Sequence, residues 1–282
     1  MIHFVGAGVG GIDYMTVKGV QLLRKADIVG FSPFIDMSIL KVCKKNCHLI
    51  NIRSMTRENV DKLLKDNCNK KFVYLTNGDF AFFGTVQDHW DFLKENKIPF
   101  EVVPGITALS ACSAVLQNEC LLPNISKCIT ITYLEENGSV LNKQSVNEIA
   151  KMNGTIAIYM MNEYLISKLQ EKLLQGGLSV ETPVVAVNLV FRKEQKIIYT
   201  TIGNLLQIRN YVSDYMTLYL IGWVFADASV RKLIAKTPWI SDFHRTEYYN
   251  NMGIFSDAVV NKETGTGRFP TAKPKIMDFV KK

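Results

Sequence analysis

No apolar run in the sequence is long enough to cross a bilayer; the longest, Tyr215 to Phe225, is short and interrupted. A membrane-spanning reading is therefore set aside, and no membrane partner is expected. The chain opens directly on the β-type run Ile2 to Val5, so no cleavable leader is expected either. The six cysteines (Cys43, Cys47, Cys68, Cys112, Cys120 and Cys128) lack paired spacing. That excludes a disulfide framework and points to reduced thiols in a cytoplasmic protein. His48 beside Cys43 and Cys47 matches no standard zinc spacing; it reads as a helix end followed by a strand start, and no metal is expected. Helix-turn-helix, RNP-type aromatic and zinc-finger patterns are all missing. The net charge of +7, from 33 Lys and Arg against 26 Asp and Glu, is thus not read as a nucleic-acid footprint. Part of the excess lies in a C-terminal tail with Lys262, Arg268, Lys273, Lys275, Lys281 and Lys282, which reads as solvated.

What is present is an ordinary globular composition, 48% hydrophobic and 21% charged, in 282 residues, room for two domains. Strand and helix patterns alternate from the start, as in an α/β protein with a parallel sheet covered on both faces. The organising stretch is Phe72 to Leu75, an apolar run without polar alternation, broken by Asn77-Gly78-Asp79 and followed by a helical pattern from about Thr85 to Lys97. A loop at the carboxyl end of a parallel strand is where open α/β sheets bind ligands, although Asn-Gly-Asp also reads as a simple turn. Further strands are read at Leu49 to Ile52 and Phe100 to Val103, the latter ending in Pro104-Gly105 before a small-residue helix from Thr107 to Val115.

This gives a first α/β domain over 1–115, with Gln117 to Asn124 as linker. A second α/β domain follows over 124–240, with strands at Cys128 to Thr132, Thr155 to Tyr159, an antiparallel pair at Pro183 to Leu189 and Lys196 to Thr201, and Met216 to Ile221. Leu134 to Lys143 reads as a mobile loop, and 241–282 as a partly mobile extension.

The first strand runs into Gly6-Ala7-Gly8-Val9-Gly10-Gly11, which satisfies the spacing of a dinucleotide fingerprint. Two features oppose that reading. The next helix starts only near Thr16, and the second strand, Asp27 to Phe31, ends in Ser32-Pro33 with no acid to hold a ribose. The glycines are read instead as allowing close approach of a ligand or of another segment.

Taken together, Gly6-Ala7-Gly8-Val9-Gly10, Thr16 to Gly19, Leu22 to Val29, Asn77-Gly78-Asp79, Val103 to Ala108 and Thr182-Pro183-Val184 resemble the tetrapyrrole methylases in order and spacing, over residues 2 to about 225. Within that family, the Phe4 to Gly8 opening and Phe243-His244-Arg245 are similar to the branch that methylates precorrin-4 or cobalt-precorrin-4 at carbon 11 in cobalamin synthesis. The resemblance implies two α/β domains with S-adenosylmethionine (SAM) in the cleft between them, and a homodimer. Carried over by position, Asn77, Gly78 and Asp79 form the cofactor loop with Phe82 alongside. Thr107 and Ala108 contact the cofactor from the next helix, and Met160 and Val190 close over it. Val9 stands where the family usually has a proline. Gly11 replaces the usual acid, Phe80 replaces the proline after Gly-Asp, and Ser32 stands where uroporphyrinogen methylases carry an aspartate. Asn188 and Phe191-Arg192 also replace usual residues.

Methyl transfer from SAM is an in-line displacement that needs alignment and water exclusion rather than a metal or a protein nucleophile. No catalytic side chain is assigned. Asp79 is suited either to the ribose or amino acid end of SAM or to capping its own turn. A precorrin carries many carboxylates, so its trough calls for arginines; Arg53, Arg57, Arg192 and Arg245 are the candidates, each equally readable as a surface charge. His244 beside an aromatic is a candidate base or a structural histidine. Two other readings stand beside the corrinoid one. The same enzyme class can act on another acceptor, such as the modified histidine of elongation factor 2 or a peptide. The lost proline and acid instead suggest a non-catalytic relative that binds SAM or a tetrapyrrole.

Overall fold

The computed structural model describes residues 1–134, 139–140, 144–159, 161–212, 216–235, 259–260 and 267–268. The first half builds β1 (Ile2–Gly6), α1 (Val17–Lys25), β2 (Ile28–Phe31), β3 (His48–Asn51), α2 (Arg57–Asp66), β4 (Phe72–Thr76), α3 (Gln87–Glu95), β5 (Phe100–Val103) and α4 (Ala108–Leu116). Its five strands are all parallel, in the order β3-β2-β4-β1-β5. The period of two divides each strand between two cores. Val5, Val29, Val73 and Leu75 pack with Leu23 of α1 on one face. Ile2, Phe4, Ile28, Phe72 and Tyr74 pack with Leu64 of α2 and Leu93 of α3 on the other. Threonine side chains cap the starts of two helices. Thr16 Oγ1 accepts from Gly19 N at 3.1 Å at the start of α1, and Thr56 Oγ1 from Asn59 N at 3.3 Å at the start of α2. The crossovers after β1 and β4 leave to opposite faces although these strands are neighbours, so a crevice opens at their carboxyl ends.

The helical pattern expected from about Thr85 begins only at Gln87. Phe83 and Thr85 both have positive φ, 58° and 51°, which no helical turn accepts.

The second half builds β6 (Ile129–Tyr133), the short ladder β7 (Ser139–Val140) with β8 (Gln144–Ser145), α5 (Val146–Lys151), β9 (Thr155–Tyr159), α6 (Ile166–Gln175), β10 (Pro183–Asn188), β11 (Lys196–Thr201) and β12 (Thr217–Ile221). This sheet is mixed. In the order β11-β10-β12-β9-β6, only β6 and β9 run parallel, and β10 and β11 form the antiparallel pair expected from the sequence. Ile156, Ile158, Val184, Ala186, Tyr219 and Ile221 face α5, α6 and the 3-10 turns at Ile202–Tyr211 in one core. Both sheets fall within one compact unit, Met1–Leu121 with Ser126–Ala226. A second unit, Leu122–Ile125 with Asp227–Lys282, contains α7 (Ala228–Ala235) and the two-residue ladder β13 (Val259–Val260) with β14 (Gly267–Arg268). The mobile loop read at Leu134 to Lys143 lies largely outside the described residues, as does most of 241–282. No helix among the described residues is long and apolar enough to cross a membrane.

Candidate functional site

Three loops meet at the carboxyl ends of β1, β4 and β5, and glycine lets them interlock. Gly8 N donates to Gly78 O at 3.1 Å and Gly78 N donates to Gly8 O at 2.7 Å, an isolated antiparallel bridge just past the ends of the parallel strands β1 and β4. Gly8 and Gly78 each have φ of +68°. A Cβ on Gly105 would fall 2.1 Å from Gly78 O, and one on Gly6 2.5 Å from Gly105 N. Asp79 fastens the same junction: Oδ1 accepts from Ala81 N and Oδ2 from Gly105 N, both at 2.8 Å. The Gly-rich stretch thus serves approach of one chain segment to another. Asp79 caps its own turn and also clamps the β4 loop to the β5 loop.

Beside this junction lies a cavity of about 950 Å³, at the upper end of the range for small-molecule sites. From the first half come Arg53, Asn77 and Gly78 of the loops after β3 and β4, Arg57 of α2 and His89 of α3; the strands of the second sheet contribute Tyr133, Tyr159, Val187 and Leu218. Of the residues expected at the site, Val9, Arg53, Arg57, Asn77, Gly78, Asp79, Phe82, Thr107, Ala108 and Val190 all line this one cavity. Asn77 Oδ1 is buried with no hydrogen-bond partner in the protein, an acceptor left for a ligand. Arg53 lies over the Phe34 ring at 5.1 Å. Arg192 is not among the lining residues. Its Nη2 donates to Phe34 O, which ties the β10–β11 loop to the loop after β2, and burial holds its guanidinium below the usual arginine pKa. Met160, His244 and Arg245 lie outside the described residues.

Other contacts that close the site left little trace in the sequence. Thr107 stands at the N-cap of α4 but does not cap it. Tyr159, from β9, does so instead: its hydroxyl accepts from Leu109 N at 3.0 Å and pairs with Thr107 Oγ1 at 3.0 Å. Burial raises the Tyr159 phenol above its ordinary pKa. Tyr14 and Phe191 stack with centroids 3.9 Å apart and planes within 3°, beside Gly10, where a Cβ would meet the Tyr14 ring and the Phe191 Cβ. Phe191 and Leu189 adopt positive φ to reach this arrangement. At the α2–α3 end, His89 Nδ1 and Asp61 Oδ1 are 2.6 Å apart and both residues are buried. Arg57 Nε lies 3.5 Å from Asp61 Oδ2. The one available sequence signal was a polar residue on the core-facing side of each helix, beside Leu64 in α2 and Leu93 in α3.

The sequence model of the family described as Tetrapyrrole (Corrin/Porphyrin) Methylases matches residues 1–206. The chain belongs to the tetrapyrrole methylases. Among its relatives is the cobalt-precorrin-4 C(11)-methyltransferase of Methanocaldococcus jannaschii, 31% identical over 207 residues that cover 72% of this chain and 80% of that protein. The precorrin-4 C(11)-methyltransferase of Pseudomonas aeruginosa is 27% identical over 239 residues, 81% of this chain and 94% of that protein. The solved structure of a cobalt precorrin-4 methyltransferase, described as a cobalamin biosynthetic enzyme, superposes with a TM-score of 0.75 at 27% identity, over 79% of this chain and 95% of that one. The uroporphyrin-III C-methyl transferase of Thermus thermophilus, solved with S-adenyl homocysteine, shares the fold at 21% identity, with a TM-score of 0.66 and coverage of 79% and 97%. The expected two-sheet tetrapyrrole methylase fold is therefore the fold of this chain, departures at Val9, Gly11 and Phe80 included.

Proposed function

We propose that this tetrapyrrole methylase transfers a methyl group from SAM to carbon 11 of precorrin-4 or cobalt-precorrin-4 in cobalamin synthesis. The observation that carries the reading is one cavity that joins an interlocked glycine junction to a basic wall, in a chain whose similar relatives bear that activity in their names. When bound, SAM supplies an electrophilic methyl on a sulfonium. The residues present fit such a molecule. Asn77 Oδ1 is an unpartnered acceptor, and Phe82, Phe83 and Tyr133 give aromatic surface for a flat base and a positive charge. Gly78, Thr107, Ala108, Val9 and Val190 would hold it. The lining side chains Arg53 and Arg57 offer charge-assisted donors to the carboxylates of a macrocycle. Arg192 acts on this site through Phe34 and the loop it anchors.

Asp79 keeps both oxygens on main-chain amides and so preserves the cradle instead of reacting. The chain's own task is to align the two ligands and exclude water between its two sheets, where positioning is worth several kcal/mol. Two α/β domains over 1–115 and 124–240 with an extension over 241–282, a homodimer and a cytoplasmic location belong to the same proposal, with no nucleic acid or membrane as partner.

The test incubates the protein with SAM and each corrinoid intermediate in turn, and follows a mass gain of one methyl together with S-adenosylhomocysteine. Methylation of precorrin-4 or its cobalt form is expected. Failure to bind SAM by calorimetry would remove the enzyme reading. Methyl transfer to a protein acceptor alone would replace the substrate.

A further inference from the structure

Methylation of a ring carbon in a pyrrole-type macrocycle leaves a charge problem that alignment alone does not solve. The carbon's π pair forms the new C–C bond to the methyl, and the C–S bond breaks with its pair retained on sulfur as a neutral thioether. The conjugated ring nitrogen becomes cationic, and its N–H proton must leave for the product to be neutral. Resting on the reading above, we propose that His89, oriented by Asp61, is the catalytic residue that accepts this proton at Nε2.

The cavity itself narrows the choice. Among its described lining residues the titratable side chains are Arg53, Arg57, Tyr74, Asp79, His89, Cys112, Tyr133 and Tyr159. The arginines stay charged and cannot accept. Asp79 spends both carboxylate oxygens on backbone amides. Burial, with the Asp61 charge behind it, pushes the Tyr74 phenol up to about 12. Burial also raises the Cys112 thiol and the Tyr159 phenol, and the latter is bonded to Thr107 and Leu109. Tyr133 carries a phenol, a side chain that ionises only near pH 10. Histidine is the one side-chain type in this set whose neutral, proton-accepting form is normally present at neutral pH.

The geometry agrees with the role. His89 sits in the first turns of α3 and lines the cavity on the same side as Arg57 and Tyr74. Its Nδ1 is taken by Asp61 at 2.6 Å, which directs Nε2 to be the free nitrogen. Asp61 is held in turn by Arg57 Nε, and Arg57 also reaches Asp88 at 3.4 Å on α3. A carboxylate behind Nδ1 stabilises the imidazolium that forms when Nε2 takes up a proton, the arrangement a base needs when its third group orients it. The titratable and charged groups that face or flank the imidazole are therefore Asp61 and Arg57 from α2, Tyr74 from β4 and Asp88 from its own helix.

The experiment compares wild type, His89→Gln, His89→Gly and Asp61→Asn in single-turnover methyl transfer to precorrin-4 across pH, with SAM affinity by calorimetry as the check on folding. A fall of about 10²-fold or more in rate is expected for His89→Gln, with SAM affinity retained and the acidic limb of the wild-type pH profile lost. Added imidazole should restore part of the rate to His89→Gly, and Asp61→Asn should move the pH limb. On the unliganded wild-type protein, ¹⁵N NMR of the imidazole should show a protonated Nδ1 and a bare Nε2. An Nε2–H tautomer would overturn the proposal even if no variant folds. So would His89→Gln that transfers methyl at the wild-type rate with the same pH profile. A wild type that transfers no methyl to a tetrapyrrole fails at the earlier reading and takes this one with it.

Discussion

Replacing Gly105 with alanine tests whether the site depends on three loops that meet closer than side chains allow. The new methyl would stand 2.1 Å from Gly78 O, 2.8 Å from Gly6 C and 2.9 Å from Gly6 Cα, all backbone atoms. No rotamer change relieves contacts of that kind, so the β1, β4 and β5 loops must separate. Overpacking of a close-packed site typically costs about 1–3 kcal/mol, and the rigid backbone on both sides places this change near the upper figure. At about 2–4 °C per kcal/mol for a chain of this size class, the melting temperature should fall by roughly 6–12 °C. Separation of the loops also lengthens the Gly105 N to Asp79 Oδ2 bond and disturbs the Gly8–Gly78 bridge. SAM affinity should therefore drop by about tenfold or more, the equivalent of 1.4 kcal/mol. Gly11→Ala is the control: its φ is −73°, and a Cβ there meets nothing nearer than Ser38 Oγ at 3.8 Å. Thermal unfolding by circular dichroism and SAM titration by calorimetry give both readouts. If Gly105→Ala melts with wild type and binds SAM equally well, the interlocked junction is not what shapes the site.

Other consequences are read at single polar and charged side chains. Asp79→Asn should lower stability by about 1–3 kcal/mol in denaturant unfolding, because an amide NH₂ then faces a main-chain N–H; unchanged stability with lost SAM affinity would place the carboxylate on the ligand instead. Arg53→Ala should weaken tetrapyrrole binding by about tenfold, one lost charge-assisted contact. Arg192→Ala should reduce thermal stability while affecting tetrapyrrole affinity less, since Arg192 is not itself a lining residue and its guanidinium bonds the Phe34 carbonyl; a loss of affinity equal to that of Arg53→Ala would refute that division. Lys44, which bonds Asp27, and the Lys71 amide at 2.9 Å hold the Asp27 carboxyl below its ordinary pKa. A lowered folded value means that the contribution is present above about pH 4, the ordinary aspartate value, and is lost as pH falls through the lower one. Urea midpoints of Asp27→Asn should show a shallower acid limb than wild type, and an identical limb would exclude Asp27 as a source.

Much of this molecule was determined by local sequence. The apolar runs Phe72 to Leu75 and Thr155 to Tyr159 had to be buried strands, because neither alternates with polar residues. Thr16 and Thr56 fixed the starts of α1 and α2 through their own hydroxyls, and Gly8 and Gly78 marked the positive-φ turns at the strand ends. The family motifs follow from the same local chemistry, so the loop of Asn77, Gly78 and Asp79 could be placed at the cavity before any contact was known. Contacts between residues distant in the chain were decided only by the tertiary structure. A tyrosine in β9 caps α4, and Phe191 stacks on Tyr14. Arg192 turns to Phe34 O instead of the cavity, and Asp61 meets His89 across two helices. None of these pairs shares a spacing or a period that a single segment could display. Each exists because two separately formed elements are brought within hydrogen-bond or ring-contact distance, and a polar side chain without such a partner would be left buried and unsatisfied.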